Sequence, residues 1–341
     1  MSSLFQGIRS YKRSKINWYL IAASVAVFFI ITTLYSWYRP ITFQGVVYLK
    51  VEKGDSGMVV LRTLFQSGIR VSPTMFRLYY RVFPGQINAG DYYLKSPITI
   101  ASLAKILAKG REQGEKVTIP EGWTYKKIAE LLVEKGIVDD TSEFMKYFDD
   151  KETLSSLGIQ SSTLEGYLYP DTYYFVKGEK PLTIITRMHE QLQLKIASSG
   201  LEKAIHESTM TFQEILTLAS IVEWEYQIPD EQPIIAQVFL TRLRIRQPLE
   251  SCATVLYAHG KHKSYLLYSD LEIKSPFNTY KVAGLPPTPI NSPSIASIRA
   301  VLFPSDTDYL YFVSKNDGSH YFSRTYEEHL QARRKYPSWK K

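Results

Sequence analysis

The sequence predicts an α+β protein of more than one unit, hung from a single N-terminal transmembrane helix. Three observations carry that prediction. An uncharged apolar run lies near the N-terminus, short strand-like and helix-like segments alternate after it, and the last third holds a capped helix followed by a hairpin signal. The 341 residues exceed one small domain, and 45% hydrophobic with 13% aromatic residues is ample for packed cores outside the ends.

The run from Trp18 to Tyr38 carries no charge. About 21 residues at a rise of about 1.5 Å cover a hydrocarbon core of roughly 30 Å. Trp18 and Tyr19 mark one interface, and Tyr35, Trp37 and Tyr38 mark the other. Arg9, Lys12, Arg13 and Lys15 precede the run with no acidic residue among them. The positive-inside rule therefore keeps residues 1–17 in the cytoplasm and exports everything after Arg39. The run is longer than a signal-peptide core and no small-x-small site stands near Ser36, so the span at 18–38 reads as an uncleaved anchor. The same four cations supply half of the net charge of +8. With no basic and aromatic stripe elsewhere, nucleic-acid binding is not expected. Cys252 is the single cysteine, so no intrachain disulfide can form.

After the span, Val47 to Val51 reads as a strand and Gly54-Asp55-Ser56-Gly57 as a turn. Met58 to Gln66 and Pro73 to Val82 have helical spacing, and Ile87 to Leu94 is a turn feeding a strand. Ile100 to Leu107 is a further helix, capped by Gly110. Residues 46–110 thus form a βααβ-like module. A second unit, 116–341, begins with extended Val117-Thr118-Ile119-Pro120. Helices are expected from Thr124 to Glu134, stopped by Gly136, from Thr141 through Phe148, and from Leu182 to Ser198. The stretch from Leu164 to Val176 is rich in Tyr, with Gly166 and Pro170-Asp171 as turn residues. Thr211-Phe212-Gln213-Glu214 is a capping box, and a second helix runs from about Asp230 to Ile245. Pro276 to Pro293 is a long irregular loop of the kind that carries function. Asn316-Asp317-Gly318 turns a hairpin between Tyr309–Val313 and Ser319–Arg324.

On a wheel of about 100° per residue, Phe212, Ile215, Leu216, Leu218, Ala219, Val222 and Tyr226 form one apolar stripe. Glu223 falls inside that stripe, Glu225 at its margin, and Trp224 on the opposite side. A carboxyl among apolar neighbours loses hydration, which favours its protonated form and suits a general acid. The wheel alone leaves a second reading open: a core glutamate paired with Arg242 or Arg244 of the next helix. Other chemistries find less support. No Gly-x-Ser-x-Gly elbow occurs, and His259 with His262 lacks further ligands at metal spacing. Cys252 beside Thr254 reads as a small residue on a packed segment rather than as a nucleophile.

The same residues carry a resemblance. Ile119-Pro120-Glu121-Gly122-Trp123-Thr124, Leu164-Glu165-Gly166-Tyr167-Leu168-Tyr169-Pro170-Asp171-Thr172-Tyr173 and Leu218-Ala219-Ser220-Ile221-Val222-Glu223 come in order. Ala253-Thr254-Val255, Asn278-Thr279-Tyr280, Gly284-Leu285-Pro286-Pro287, and Tyr309 to Val313 with Gly318-x-His320 complete the series. This ordered set resembles the MltG-type (YceG-like) endolytic murein transglycosylases over nearly all of the exported chain.

The resemblance implies that the module at 46–110 is LysM-like and that 116–341 is the catalytic domain, with Glu223 as catalytic acid. It implies cleavage of MurNAc-β-1,4-GlcNAc bonds within peptidoglycan strands, leaving 1,6-anhydroMurNAc ends and terminating strand elongation, with no cofactor and no metal. Glu165, Glu225, Glu250, Thr254, Asn278, Thr279 and Tyr280 become the substrate-binding candidates. The implied setting is a bacterial inner membrane with a periplasmic catalytic domain, and cell-wall synthesis machinery as the class of partner. The chain departs from the pattern at Glu250-Ser251-Cys252-Ala253, where many members have Gln-Ser-Asp-Pro, at Trp224 and Tyr226 after the catalytic glutamate, and at Thr288 where a Gly usually follows the Pro pair.

Overall fold

The computed structural model describes residues 2–43, 46–109, 114–260 and 266–337. The chain divides into two compact units, Met1–Gly114 and Glu115–Lys341.

The first unit opens with helix α1 (Ser2–Tyr38). Its stretch Trp18–Tyr38, 21 residues of mean hydropathy 2.0, is long and apolar enough to cross a membrane. Phe28 and Phe29 stand outward at 67% and 64% exposure, as lipid-facing residues do. Two hydroxyls within the span bond to the helix itself: Thr32 Oγ1 donates to Phe28 O at 3.0 Å and Ser36 Oγ to Thr32 O at 2.9 Å. Arg9, Lys12, Arg13 and Lys15 fall on the first half of α1, and their side chains lie outside the described residues.

There follow β1 (Val46–Val51), α2 (Gly57–Gln66), α3 (Pro73–Val82), β2 (Gly90–Lys95) and α4 (Ile100–Lys109), the expected βααβ order followed by the expected further helix. Gly110, expected to cap α4, lies outside the described residues. Ser72 starts α3 by accepting the Met75 N–H, and Pro73 fills the first turn, where its missing N–H is no loss. The strands are antiparallel with Leu49 opposite Tyr92. Alternate residues Leu49, Val51, Tyr92 and Leu94 turn inward onto Val60, Leu64, Phe76, Tyr79, Leu103 and Leu107. Trp37, at the end of the apolar span, belongs to this core with 4% exposure. Its Nε1 donates to Met75 O at 3.0 Å, and its ring meets Tyr79 and Phe83 edge-on at 5.3 and 5.8 Å.

The second unit runs β3 (Glu115–Thr118), α5 (Tyr125–Glu134), α6 (Thr141–Met145), α7 (Lys151–Ser156), β4 (Thr172–Phe175), α8 (Pro181–Ser198) and α9 (Glu202–Glu207). It continues with α10 (Phe212–Glu225), α11 (Gln232–Arg244), α12 (Cys252–His259), α13 (Ile295–Leu302), β5 (Tyr311–Ser314), β6 (His320–Ser323) and α14 (Tyr326–Lys335). β3 pairs with β4 and β5 with β6, both antiparallel. The helix expected from Thr141 to Phe148 stops at Met145. The reason is a second cap: Asp150 Oδ2 accepts the Thr153 N–H at 2.9 Å and starts α7.

Helix α10 is the axis of this unit. Its capping box is present, with Thr211 Oγ1 accepting the Glu214 N–H at 3.2 Å and Glu214 Oε2 accepting the Thr211 N–H at 2.7 Å. It ends at Glu225, where Tyr226 turns to extended backbone and its N–H closes the last turn on Val222 O. The single apolar stripe drawn from the sequence is too narrow. Every residue from Ile215 to Glu223 is buried, Thr217 and Ser220 included, because α11, α12 and α13 all pack against this helix.

Candidate active site around Glu223

Three segments converge on Glu223, which is 8% exposed near the end of α10. The first is the loop ahead of α13. Ser220, one turn before Glu223, accepts the Ile290 N–H at 3.0 Å, and its carbonyl takes Asn291 Nδ2 at 2.7 Å. Ser294, the N-cap of α13, then donates to Glu223 Oε2 twice, from its N–H at 2.9 Å and its hydroxyl at 2.7 Å. The second segment is the Glu121-Gly122 turn. Trp224 Nε1 donates to Gly122 O at 2.7 Å, and Gly122 N–H to Ser292 O at 2.9 Å. Gly122 has φ +72°, and a Cβ there would lie 3.0 Å from Trp224 Nε1 and 3.6 Å from Glu223 Cγ. The position therefore demands glycine for conformation and for room. The third is the end of α10 itself, where Tyr226 donates to Glu223 Oε1 at 3.3 Å.

The expected apolar surroundings are thus not what meets the carboxyl. Its stem is packed, while its head is held by Ser294 and Tyr226. Among the described residues no arginine pairs with it: Arg242 Nη1 lies 3.4 Å from Glu250 and donates to Leu249 O at 2.7 Å, and its Nε donates to Leu310 O at 2.7 Å. Trp224 does leave the helix on another side, but to pack on the Gly122 turn rather than to meet solvent.

Glu121, on the exposed turn, is a site residue that sequence reasoning missed. Partial burial first, and then the charge of Glu223, push its carboxyl above the usual range. Burial, then Glu223 and Glu121, raise the Tyr226 phenol to about 12. Tyr226 thus keeps its proton and stays a hydrogen-bond donor to Glu223 throughout the physiological range. Tyr169 is raised by burial and then by Glu121, which puts its hydroxyl in the same electrostatic neighbourhood. The signal in the sequence was the motif at 119–124, which places an acid beside a glycine.

The residues expected to bind substrate form a second network, knitted mostly to itself. Ser251 hydroxyl donates to Glu225 Oε1. Burial pushes the Glu225 carboxyl up, against the Ser251 bond, the His320 ring and the Ala253 N–H. Ser251 N–H donates to Thr279 Oγ1 at 3.1 Å, and the Thr254 and Thr279 hydroxyls meet at 2.8 Å. Asn278 Nδ2 donates to the carbonyls of Leu271 and Ile273 at 2.8 and 2.9 Å, and its Oδ1 accepts the Tyr280 N–H at 3.0 Å. Thr254, Asn278 and Thr279 are buried, whereas Glu250 is exposed and holds φ +53°, a strained value for a residue with a side chain. Cys252 is exposed, not packed, with Sγ 3.2 Å from the Tyr280 hydroxyl. It starts α12 just outside that helix's packed side.

Glu165 stands apart from both groups, 2% exposed. Its Oε1 accepts the Tyr125 N–H at the start of α5 at 2.8 Å, and its Oε2 the Tyr257 hydroxyl at 3.1 Å. Burial lifts its pKa to about 7. Its neighbour Gly166, with φ +83°, lets the chain press on the proline loop, since a Cβ there would fall 2.5 Å from Pro289 Cβ. His259 Nε2 meets Asp270 O at 3.1 Å, and His262 lies outside the described residues.

Comparison with known proteins shows the family of the chain. A family model described as the YceG-like family matches residues 49–335. A Bacillus subtilis (strain 168) protein named endolytic murein transglycosylase is 33% identical over 311 residues, covering 86% of this chain and 86% of that protein. A Streptococcus pneumoniae (serotype 2, strain D39) protein of the same name is 29% identical over 316 residues, and the match covers 83% of this chain but 57% of that longer relative. The crystal structure of a YceG-like protein from Listeria monocytogenes aligns with TM-score 0.60 at 33% identity, over 84% of this chain and 99% of that one.

Proposed function

This chain belongs to the YceG-like family, and we propose that it is an endolytic murein transglycosylase whose reacting group is Glu223. The observation that carries the assignment of Glu223 is the inequality of its two oxygens. Oε2 takes both Ser294 donors, whereas Oε1 has, among the described residues, only the 3.3 Å contact with Tyr226. A group that must release and regain one proton needs one oxygen held and the other available.

Glu223 gives its proton to the oxygen of the MurNAc–GlcNAc bond, and the bond from that oxygen to the anomeric carbon breaks. The C6 hydroxyl oxygen of the same MurNAc bonds to that carbon, and its proton returns to Glu223. The product is a 1,6-anhydroMurNAc end, no water is consumed, and the strand can be elongated no further at that end. Glu121 faces the reacting sugar from the turn and favours positive charge developing on its ring. Glu250 and Tyr280, on the rim of the second network, touch the glycan, while Glu225, Thr254, Asn278 and Thr279 hold that rim in shape. Glu165 acts from inside, by fixing the start of α5.

The span at 18–38 anchors the chain in the cytoplasmic membrane with residues 1–17 inside and the catalytic unit outside. The βααβ module, LysM-like in its order of elements, holds glycan. Digestion of purified sacculi tests the whole reading. The wild-type protein yields anhydro ends by mass spectrometry, and Glu223→Gln yields none while melting like wild type. Because Glu121 stands beside Glu223, a hydrolase in which it activates water is the second reading, and reducing ends in place of anhydro ends would establish it.

A further inference from the structure

The end of the membrane span does not stop at the first folded unit but is built into it. Trp37, the residue before the last of the span, is buried in the core of the βααβ module and touches Tyr79 and Phe83. Tyr35 and Tyr38 on either side of it are 65% and 60% exposed, the aromatic belt of an interface. The polar layer between hydrocarbon and water is roughly 5–7 Å deep on each face. Phe83 lies 5.8 Å from Trp37, centroid to centroid, so even pointed straight outward it reaches no further than about the outer edge of that layer. Phe83 is nevertheless 49% exposed, and Val82 beside it 51%. Single exposed apolar residues are ordinary on a protein surface, but a pair fixed at this depth is not bathed in water. Arg77 and Arg81, both exposed, stand one helical turn apart on α3 just before this pair. Guanidinium groups bind phosphates in two-pronged fashion. Arg77 also lies against Met58 of α2, at 2.9 Å from its sulfur.

We infer that the βααβ module docks on the surface of the bilayer that α1 crosses, with Val82 and Phe83 sunk among the headgroups and Arg77 and Arg81 on lipid phosphates. The occupant of this surface is the membrane itself, because Trp37 ties the docking face to the span. The inference rests on the reading of 18–38 as an anchor, and its test separates the two.

The full chain carrying Cys252→Ser is placed in lipid nanodiscs with one nitroxide, at Phe28→Cys, Val82→Cys or Lys203→Cys. Each replaced side chain is exposed, so folding is not put at risk. Relaxation by oxygen, which collects in lipid, is compared with relaxation by a water-soluble nickel chelate. The expected result is oxygen preference at 28 and 82 and nickel preference at 203. Oxygen preference at 28 with nickel preference at 82 leaves the anchor standing and overturns the docking. Nickel preference at 28 removes the anchor and the docking together. In a second arm, Arg77→Gln with Arg81→Gln should lower the oxygen preference at 82 in discs containing anionic lipid. An unchanged value there would overturn the phosphate contact.

Discussion

Glu165 and Glu223 are both buried acids of the second unit, and both accept an N–H at the start of a helix, from Tyr125 of α5 and Ser294 of α13. Helix starts favour negative charge, so each carboxyl looks structural at first sight. They differ in what their second oxygen meets. In Glu165 it takes the part-buried Tyr257 hydroxyl at 3.1 Å, and burial lifts the pKa to about 7. In Glu223 it meets only Tyr226 at 3.3 Å, and the exposed Glu121 lies within its electrostatic reach. Burial therefore marks a scaffolding acid as readily as a reacting one. One weakly held oxygen with an exposed neighbour is what separates them.

The largest effect expected from this contrast is on catalysis. Glu223→Gln keeps the shape and the Ser294 contact but carries no exchangeable acid proton, so anhydro-end formation on sacculi should fall by about 10²–10⁴-fold. Glu165→Gln should keep most activity, and a fall as deep as that of Glu223→Gln would erase the distinction. For Glu165 the effect belongs to stability. Its folded pKa of about 7 stands above the unfolded 4.5, so the folded state holds the proton more tightly. Its contribution is therefore complete below pH 4.5 and lost as pH rises through 7. The size is on the order of 3 kcal/mol across that window. Denaturant midpoints should show wild type losing stability over this range, and Glu165→Gln losing less.

Next comes Glu121→Gln, which removes a charge beside the reacting sugar without leaving a buried group unpaired. About tenfold loss in kcat with little change in KM is expected, of the order of one charged hydrogen bond. A changed KM at constant kcat would make Glu121 a binding residue only. The smallest effect belongs to Glu225→Gln. The amide keeps an oxygen for Ser251, so about 1 kcal/mol of stability and little activity should be lost. An activity loss matching that of Glu223→Gln would move the reacting group along α10.

The elements that could be read from the sequence are those with local signatures. The span, the Thr211 capping box and the hairpin around Asn316-Asp317-Gly318 each declare themselves within a few residues. Helices α12 and α13 are eight residues each, too short for a periodic pattern, and α13 follows a proline-rich loop. Strand β4 is four residues, and only its pairing with β3 makes it a strand. Glu223 could be picked out because it breaks an apolar pattern. Ser294, its main partner, lies 71 positions away, and no local rule connects the two. Glu121 was visible only as part of a motif, because its meaning depends on the fold that brings it to Glu223.

The stitching of the Glu223 pocket also fixes when it can exist. Gly122 precedes Trp224 by 102 positions and Ser294 follows Glu223 by 71, so the pocket closes two long loops at once. Closing such loops is entropically uphill until the rest of the core supports them, and contacts of this separation form late. A chain still emerging from the ribosome or the membrane has already made its glutamate but not the serine that holds it. The cutting edge is thus sheathed by folding order itself: on refolding, glycan cleavage should return no sooner than the burial of α13.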